Sequence, residues 1–236
     1  MKQRQYNLDK TAYDLEKENK RFIWKFFTYL YFLLFSLRNF KEIYIMCGII
    51  GFTGNLQAPG ILVDGLQQLE YRGYDSAGIA VNNGSETKIV KTTGKVATLR
   101  EKVEAVADLA GTCGIGHTRW ATHGGVTEVN AHPHVSGNVT LIHNGIIENY
   151  KELAASLKTK GFTAISETDT EVAAMLIDSL YDGDPFAALK EADQMLEGAY
   201  GFCVMFKDHP GEIYCMRNAS PVSYTHLRAH ETCADL

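Results

Sequence analysis

A sharp change in composition near residue 46 limits which part of the chain forms an ordinary globular domain. Residues 1–45 contain none of the 21 glycines and none of the five prolines, but hold 12 of the 25 aromatic residues. They carry nine Lys and Arg residues against five Asp and Glu residues, whereas the remaining chain carries 14 against 23. The first 45 residues therefore differ in kind from the rest, and we expect the domain to begin after them.

We interpret residues 1–45 as upstream DNA translated in frame, because their residue types are those that AT-rich codons specify. Lys41 and Glu42 are encodable as a purine-rich ribosome-binding sequence, three codons before Met46. The apolar run from Phe22 to Leu37 is interrupted by Lys25 and is shorter than the roughly 18 to 20 residues that span a bilayer. No small-residue cleavage site follows it. The alternative is an amphipathic or membrane-anchoring leader.

Composition and charge narrow the classes of partner. The whole chain of 236 residues has a net charge of -5, whereas nucleic acids and anionic membranes select basic surfaces. Its five cysteines show no C-x-x-C spacing, which argues against a disulfide framework or a zinc site. We therefore predict a cytoplasmic protein that uses no cofactor and binds neither nucleic acid nor membrane.

The pattern from Met46 to about Pro221 predicts one domain of short strands and helices. Strands and helices occur in adjacent groups, which favours antiparallel sheets flanked by helices over an alternating βαβ array. Residues 222–236 show no periodicity, and we interpret them as a foreign tail. Strands are predicted at 48–53, 77–81, 87–91, 139–143, 200–206 and 212–216, and helices at about 59–70, 96–108, 149–160, 170–181 and 186–197.

Cys47 is a candidate nucleophile because it directly follows Met46. Removal of the methionine gives it a free α-amine, whose pKa of about 7.7 to 8.0 suits it to accept the proton of a thiol that titrates near about 8.5. The alternative is a buried cysteine at the start of a strand.

Three further positions carry suitable chemistry. Arg119, in the binding loop predicted at residues 117–125, offers a planar fork for a carboxylate, unless it forms a surface salt bridge. The Asn144 side chain and the Gly145 N–H suit an oxyanion hole, although Asn-Gly most often marks a turn. Asp169 follows the predicted N-cap Thr168 and suits an ammonium group, although capping alone explains an Asp there.

The histidines have no metal-site spacing, and we expect His132-Pro133-His134 to be a structured loop. The five histidines of this region are 117, 123, 132, 134 and 143.

Six motifs together resemble one family, the amino-terminal glutaminase domain of the glutamine–fructose-6-phosphate aminotransferases, also called glucosamine-6-phosphate synthases. The resemblance covers about residues 46–221. The motifs are MCGIIG at 46–51, YRGYDSAG at 71–78, HTRWATHG at 117–124, NAHPH at 130–134, HNGIIEN at 143–149 and SETDTE at 166–171.

The resemblance implies an α+β fold of four αββα layers, as in N-terminal-nucleophile hydrolases, and hydrolysis of L-glutamine through a thioester on Cys47. It implies that Asn144 and Gly145 stabilise the oxyanion, and that Arg119 and Asp169 bind the carboxylate and ammonium groups of glutamine. Thr122 and His123 would line the pocket, and Trp120 would gate the path by which ammonia reaches a second domain that aminates fructose 6-phosphate.

Two departures from the family pattern matter. As written, Cys47 has 46 residues ahead of it, so its nitrogen is an amide and this form should be inactive. We also expect the domain to be incomplete at its carboxyl end and the sugar-isomerase domains to be absent, and we expect the full-length protein to be a homo-oligomer. The alternatives are a non-catalytic glutamine-binding module, the glutaminase domain of another class II amidotransferase and a membrane-anchored structural protein.

Overall fold

The computed structural model describes residues 47–219, and within this range eight strands form two antiparallel sheets of four. The first sheet has the order β1-β4-β2-β3 and the second the order β5-β6-β7-β8. The first comprises β1 (Gly48–Thr53), β2 (Ser76–Asn82), β3 (Thr87–Thr93) and β4 (Cys113–Arg119), and the second β5 (His134–Ser136), β6 (Val139–Ile147), β7 (Gly198–Phe206) and β8 (Tyr214–Asn218).

Five α-helices accompany these strands in the described range, with a short 3-10 turn at Glu70–Arg72. None of the helices between residues 47 and 219 is long and apolar enough to cross a membrane. The interpretations of residues 1–45 as a leader and of residues 222–236 as a tail lie outside the described residues. The helices are α1 (Ala58–Gln68), α2 (Val96–Ala105), α3 (Tyr150–Thr159), α4 (Asp169–Leu180) and α5 (Pro185–Met195).

Alternation along the strands produces four layers, because successive strand residues face opposite sides of a sheet. On β2, Ile79 packs with α1 and α2, whereas its neighbour Ala80 faces the other sheet. On β7, Val204 packs with α4 and α5, whereas Cys203 faces inward. The order is therefore helices, sheet, sheet, helices, and the predicted α+β αββα fold is confirmed.

All eleven predicted elements are present, with end shifts of a few residues. The prediction gave β4 no bounds and placed its last residues, 117–119, in the binding loop of 117–125, and it missed β5 entirely. His134 begins β5 rather than belonging to a loop, and its register partner is Leu141 on β6. The three-residue length of β5 explains why no periodicity marked it.

The turn expected at Asn144-Gly145 as the alternative to a functional role is not formed. Strand β6 continues through both residues to Ile147, and Asn144 is paired with Gly201 on β7. Gly145 has a φ of 133°, and a Cβ atom on it would lie 2.0 Å from the carbonyl oxygen of Ala199. The positive φ and the close approach of β7 therefore require a glycine at this position of β6.

Candidate functional site

Every residue predicted for the site lies on one cavity of about 260 Å³ between the ends of β1, β4 and β6 and the start of α4. The cavity is also lined by His132, His143, Ile146, Thr168 and Thr170. The predicted residues that line it are Cys47, Arg119, Trp120, Thr122, His123, Asn144, Gly145 and Asp169.

Strand pairing brings Cys47 to this cavity. Gly48, the first residue of β1, is opposite Thr118 on β4, and the Thr118 hydroxyl accepts a hydrogen bond from the Gly48 N–H at 3.1 Å. Cys47 directly precedes β1 and Trp120 directly follows β4, and the Trp120 N–H donates to the Cys47 Sγ atom at 3.1 Å. Burial raises the pKa of the Cys47 thiol, and this hydrogen bond opposes the effect. The thiol therefore needs a base to become a thiolate near neutral pH.

The Asn144 side chain is held from two sides. Its Nδ2 atom donates to the carbonyl oxygen of Cys47 at 3.0 Å, and its Oδ1 atom lies 2.8 Å from His117 Nε2. The amide thus lies beside the candidate nucleophile, as an oxyanion hole requires.

Arg119 is buried with 3% of its surface exposed, so the surface salt bridge that was its alternative is excluded. Its guanidinium donates to the carbonyl oxygens of His123, Gly124 at 3.5 Å and Gly125 at 3.3 Å. Its Nη1 atom is 4.0 Å from an Asp75 carboxylate oxygen. The fork therefore holds the loop after β4 and also faces the cavity.

Asp169 occupies the first position of α4, as predicted, and is 4% exposed. Its Oδ2 atom accepts the Ile147 N–H at 2.9 Å and lies 4.0 Å from His143 Nδ1. Thr168 is the N-cap and accepts the Glu171 N–H at 3.3 Å. Glu171 does not complete the reciprocal half of the predicted capping box, because its carboxylate accepts from Ile165 N at 3.0 Å and Ser166 N at 2.6 Å instead.

The remaining predicted residues border the cavity from the loop after β4. Trp120 is 42% exposed, and the ring of His123 meets the ring of Tyr150 edge-on with centroids 5.3 Å apart. Thr122 also lines the cavity.

Four buried histidines, at positions 117, 132, 134 and 143, lie at or beside the cavity. Burial lowers the pKa of His117 to about 3 and that of His143 to about 4, and it also lowers those of His132 and His134. The Thr170 hydroxyl joins two of them, at 2.9 Å from His132 Nε2 and 3.0 Å from His143 Nδ1. These rings are therefore uncharged at neutral pH. Among the described residues no group of three or more His, Cys, Asp or Glu side chains is arranged to hold a metal ion.

Asp75 and His117 were not predicted as individual site residues, although both lie in the motifs that resemble the family. Asp75 accepts the Ala121 N–H and lies beside Arg119, so it fixes the start of the loop after β4. The alternation of a strand could have identified His117. It follows Cys113 and Ile115 at intervals of two residues, and both of these face the space between the sheets.

Comparison with known proteins agrees with this architecture. A family model described as a glutamine amidotransferase domain matches residues 117–232. The glutamine–fructose-6-phosphate aminotransferase (isomerising) of Thermus thermophilus is 51% identical over 179 residues, which are 75% of this chain and 29% of that enzyme. The enzyme of the same name from Idiomarina loihiensis is 50% identical over 75% of this chain and 30% of its own length.

Solved structures show the same fold. Glutamine phosphoribosylpyrophosphate amidotransferase from B. subtilis is 31% identical with a TM-score of 0.59, and the match covers 67% of this chain and 35% of that one. A structure described as the allosteric regulatory enzyme of purine biosynthesis is 32% identical, with the same TM-score and coverage.

The described residues therefore have the fold of the N-terminal-nucleophile amidotransferases. The chain belongs to the glutamine amidotransferase family, and it matches the amino-terminal amidotransferase domain of the glutamine–fructose-6-phosphate aminotransferases. It spans about 29% of the length of the first of these curated relatives.

Proposed function

We propose that this chain hydrolyses L-glutamine to glutamate and ammonia, with Cys47 as the nucleophile. The observation that carries the proposal is the meeting of a thiol, an amide donor, a guanidinium and a carboxylate on one cavity. These groups come from four separate parts of the chain, Cys47, Asn144, Arg119 and Asp169. Packing of a core does not by itself require such a set of polar groups at one place.

The reaction proceeds through a thioester. The α-amine of a Cys47 that begins the chain accepts the thiol proton, and the sulfur attacks the carboxamide carbon of glutamine. The Asn144 amide and the Gly145 N–H stabilise the negative oxygen that forms. The carbon–nitrogen bond then breaks, ammonia leaves with the proton from the ammonium group, and water hydrolyses the carbon–sulfur bond to release glutamate. The raised pKa of the partly buried Cys47 thiol supports the need for this base.

Glutamine is recognised by the charges of its α-carboxylate and α-ammonium groups, at the end opposite the carboxamide. Arg119 binds the α-carboxylate and Asp169 the α-ammonium group. A guanidinium has five N–H groups, so donors remain after the three loop carbonyls are satisfied. Thr122 and His123 line the pocket, and Trp120, which is 42% exposed, gates the departure of ammonia.

We further propose that in the complete protein this ammonia aminates fructose 6-phosphate at sugar-isomerase domains outside this chain, in a homo-oligomer of the cytoplasm. The 50 to 51% identity to enzymes named for that reaction supports this assignment. The identity to the two solved structures is lower, at 31 to 32%, and gives less support to the alternative that this is the glutaminase domain of another class II amidotransferase. A non-catalytic glutamine-binding module is the second candidate, because an amide nitrogen at Cys47 has no basic lone pair.

Glutamine turnover tests the proposal. The chain is expressed from its own DNA, its first residue is determined by intact mass, and ammonia and glutamate are measured with L-glutamine as substrate. Cys47→Ala is expected to abolish ammonia release while the Kd for glutamine stays within a few-fold. Cys113→Ala, which removes a buried thiol away from the cavity, is expected to keep normal turnover.

Turnover above background in Cys47→Ala would contradict the nucleophile assignment. Glutamine binding without turnover, in a chain that begins at Cys47, would favour the non-catalytic module.

A further inference from the structure

We propose that His117 is a positioning residue whose Nε2–H holds the Asn144 amide so that an amide N–H faces the reacting carbonyl oxygen. The proposal rests on the glutamine hydrolysis proposed above and adds a residue to its oxyanion hole. It begins from the two hydrogen bonds of the Asn144 side chain, to the carbonyl oxygen of Cys47 and to the ring of His117.

The partner on the Cys47 side fixes the orientation of the amide. A backbone carbonyl oxygen accepts hydrogen bonds and never donates them, so the NH2 group of Asn144 must face Cys47 at 3.0 Å. The Oδ1 atom then faces His117 at 2.8 Å, and Nε2 of that ring must carry the hydrogen. One amide N–H is used by the Cys47 carbonyl, and the second is left for the oxyanion.

The ring is itself held firmly. His117 lies on β4, the strand between β1 and β2, and its register partners are Ile49 on β1 and Gly78 on β2. Its exposed fraction is 0%, and its ring centroid is 4.1 Å from that of His132. Burial lowers the pKa of His117 to about 3, so it keeps a single ring proton at neutral pH.

Loss of the Nε2–H would weaken the preference between the two orientations of the amide, because only the contact with the Cys47 carbonyl oxygen would still hold it. In the flipped orientation Oδ1 would face the Cys47 carbonyl oxygen and the developing oxyanion. Two N–H contacts would then be replaced by two repulsive contacts between oxygen atoms. Glutamine would still meet Arg119 and Asp169, so its binding would be little affected. The expected signature is therefore a loss in kcat with a nearly constant KM.

Two substitutions at His117 separate positioning from packing. His117→Leu removes the donor, whereas His117→Gln keeps an N–H donor at a similar reach. We expect kcat to fall about tenfold to a hundredfold in His117→Leu, as small misplacements of catalytic groups do, with KM within about threefold. We expect His117→Gln to recover most of the lost kcat.

The control is His134→Leu, which removes another buried imidazole that does not line the cavity. Its kcat is expected to stay above that of His117→Leu at matched thermal stability. An unchanged kcat in His117→Leu, a parallel rise in KM, or a His117→Gln variant as impaired as His117→Leu would overturn the proposal.

Nitrogen-15 NMR of the histidine rings in the wild-type chain at pH 7 decides the matter without turnover. The expected result is a neutral His117 ring protonated at Nε2, and a ring protonated at Nδ1 would overturn the proposal. If the wild type hydrolyses no glutamine, the proposed function fails, and the NMR measurement still tests the orientation of the amide.

Discussion

At the scale of single residues, the cavity combines a guanidinium and a carboxyl group with imidazole rings that are uncharged at neutral pH. Arg119 and Asp169 are nearly fully buried, and the buried histidines have pKa values well below their ordinary range. Burial is the largest cause of the shift in each histidine. The guanidinium and the carboxyl group therefore suit recognition of a zwitterionic substrate, while the neutral rings hold polar groups in place.

Replacement of Arg119 by lysine tests the recognition role. An ammonium is a point charge and does not reproduce a fork that serves three loop carbonyls and a carboxylate together. We expect Arg119→Lys to raise the KM for glutamine at least tenfold, measured by steady-state ammonia release. An unchanged KM would move the carboxylate site elsewhere.

The histidines also predict how stability depends on pH. A histidine titrates near about 6.5 in the unfolded chain, whereas His117 and His143 titrate at about 3 and about 4 in the folded one. Below pH 6.5 the unfolded state binds more protons than the folded state, so the free energy of unfolding falls as the pH falls toward 4. Above about pH 6.5 both rings are neutral in the folded and the unfolded state, so their titration no longer lowers the free energy of unfolding.

Urea denaturation between pH 7 and pH 4 measures this dependence. The control is His143→Gln, for which we expect a shallower pH dependence than for the wild type. Equal slopes for the two proteins would contradict the assigned pKa of His143.

At the scale of the elements, periodicity predicted the strands and helices whose residues alternate or repeat clearly. It did not predict β5, which has only three residues, or the continuation of β6 through Asn144-Gly145. Local sequence favours a turn there, and pairing with β7 overrides it. The site residues could be named from motifs, but the contacts of Asn144 with His117 and of Arg119 with Asp75 depend on strand register and therefore needed the structure.

The Asn-Gly segment of β6 gives a prediction about stability. Gly145 has a φ of 133° and no space for a Cβ atom, whereas Gly60 in α1 has no atom within 4 Å of its Cβ position. We expect Gly145→Ala to lower the free energy of unfolding by about 2 kcal/mol or more, measured by urea denaturation. Gly60→Ala is expected to raise it by about 0.5 to 1 kcal/mol. Equal effects of the two variants would contradict the described backbone of β6.

At the scale of the whole molecule, the two sheets place the site where the layer between them becomes polar. Ile115 and Ile142 fill this layer, and His117 and Asn144 continue the same strand faces toward the cavity. The apolar part gives the site a rigid support, and the polar end supplies the groups for chemistry. The chain spans about 29% of the length of the first curated relative, so the domain that it matches is one part of a longer protein there.

Mass spectrometry of the protein quenched in acid during reaction with L-glutamine tests whether a thioester forms on Cys47. The intact mass gives the first residue, and a peptide map locates any glutamyl adduct. We expect a chain that begins at Cys47 and carries a glutamyl thioester on that residue. Turnover by a chain that retains residues ahead of Cys47, or an adduct on any other residue, would contradict this expectation.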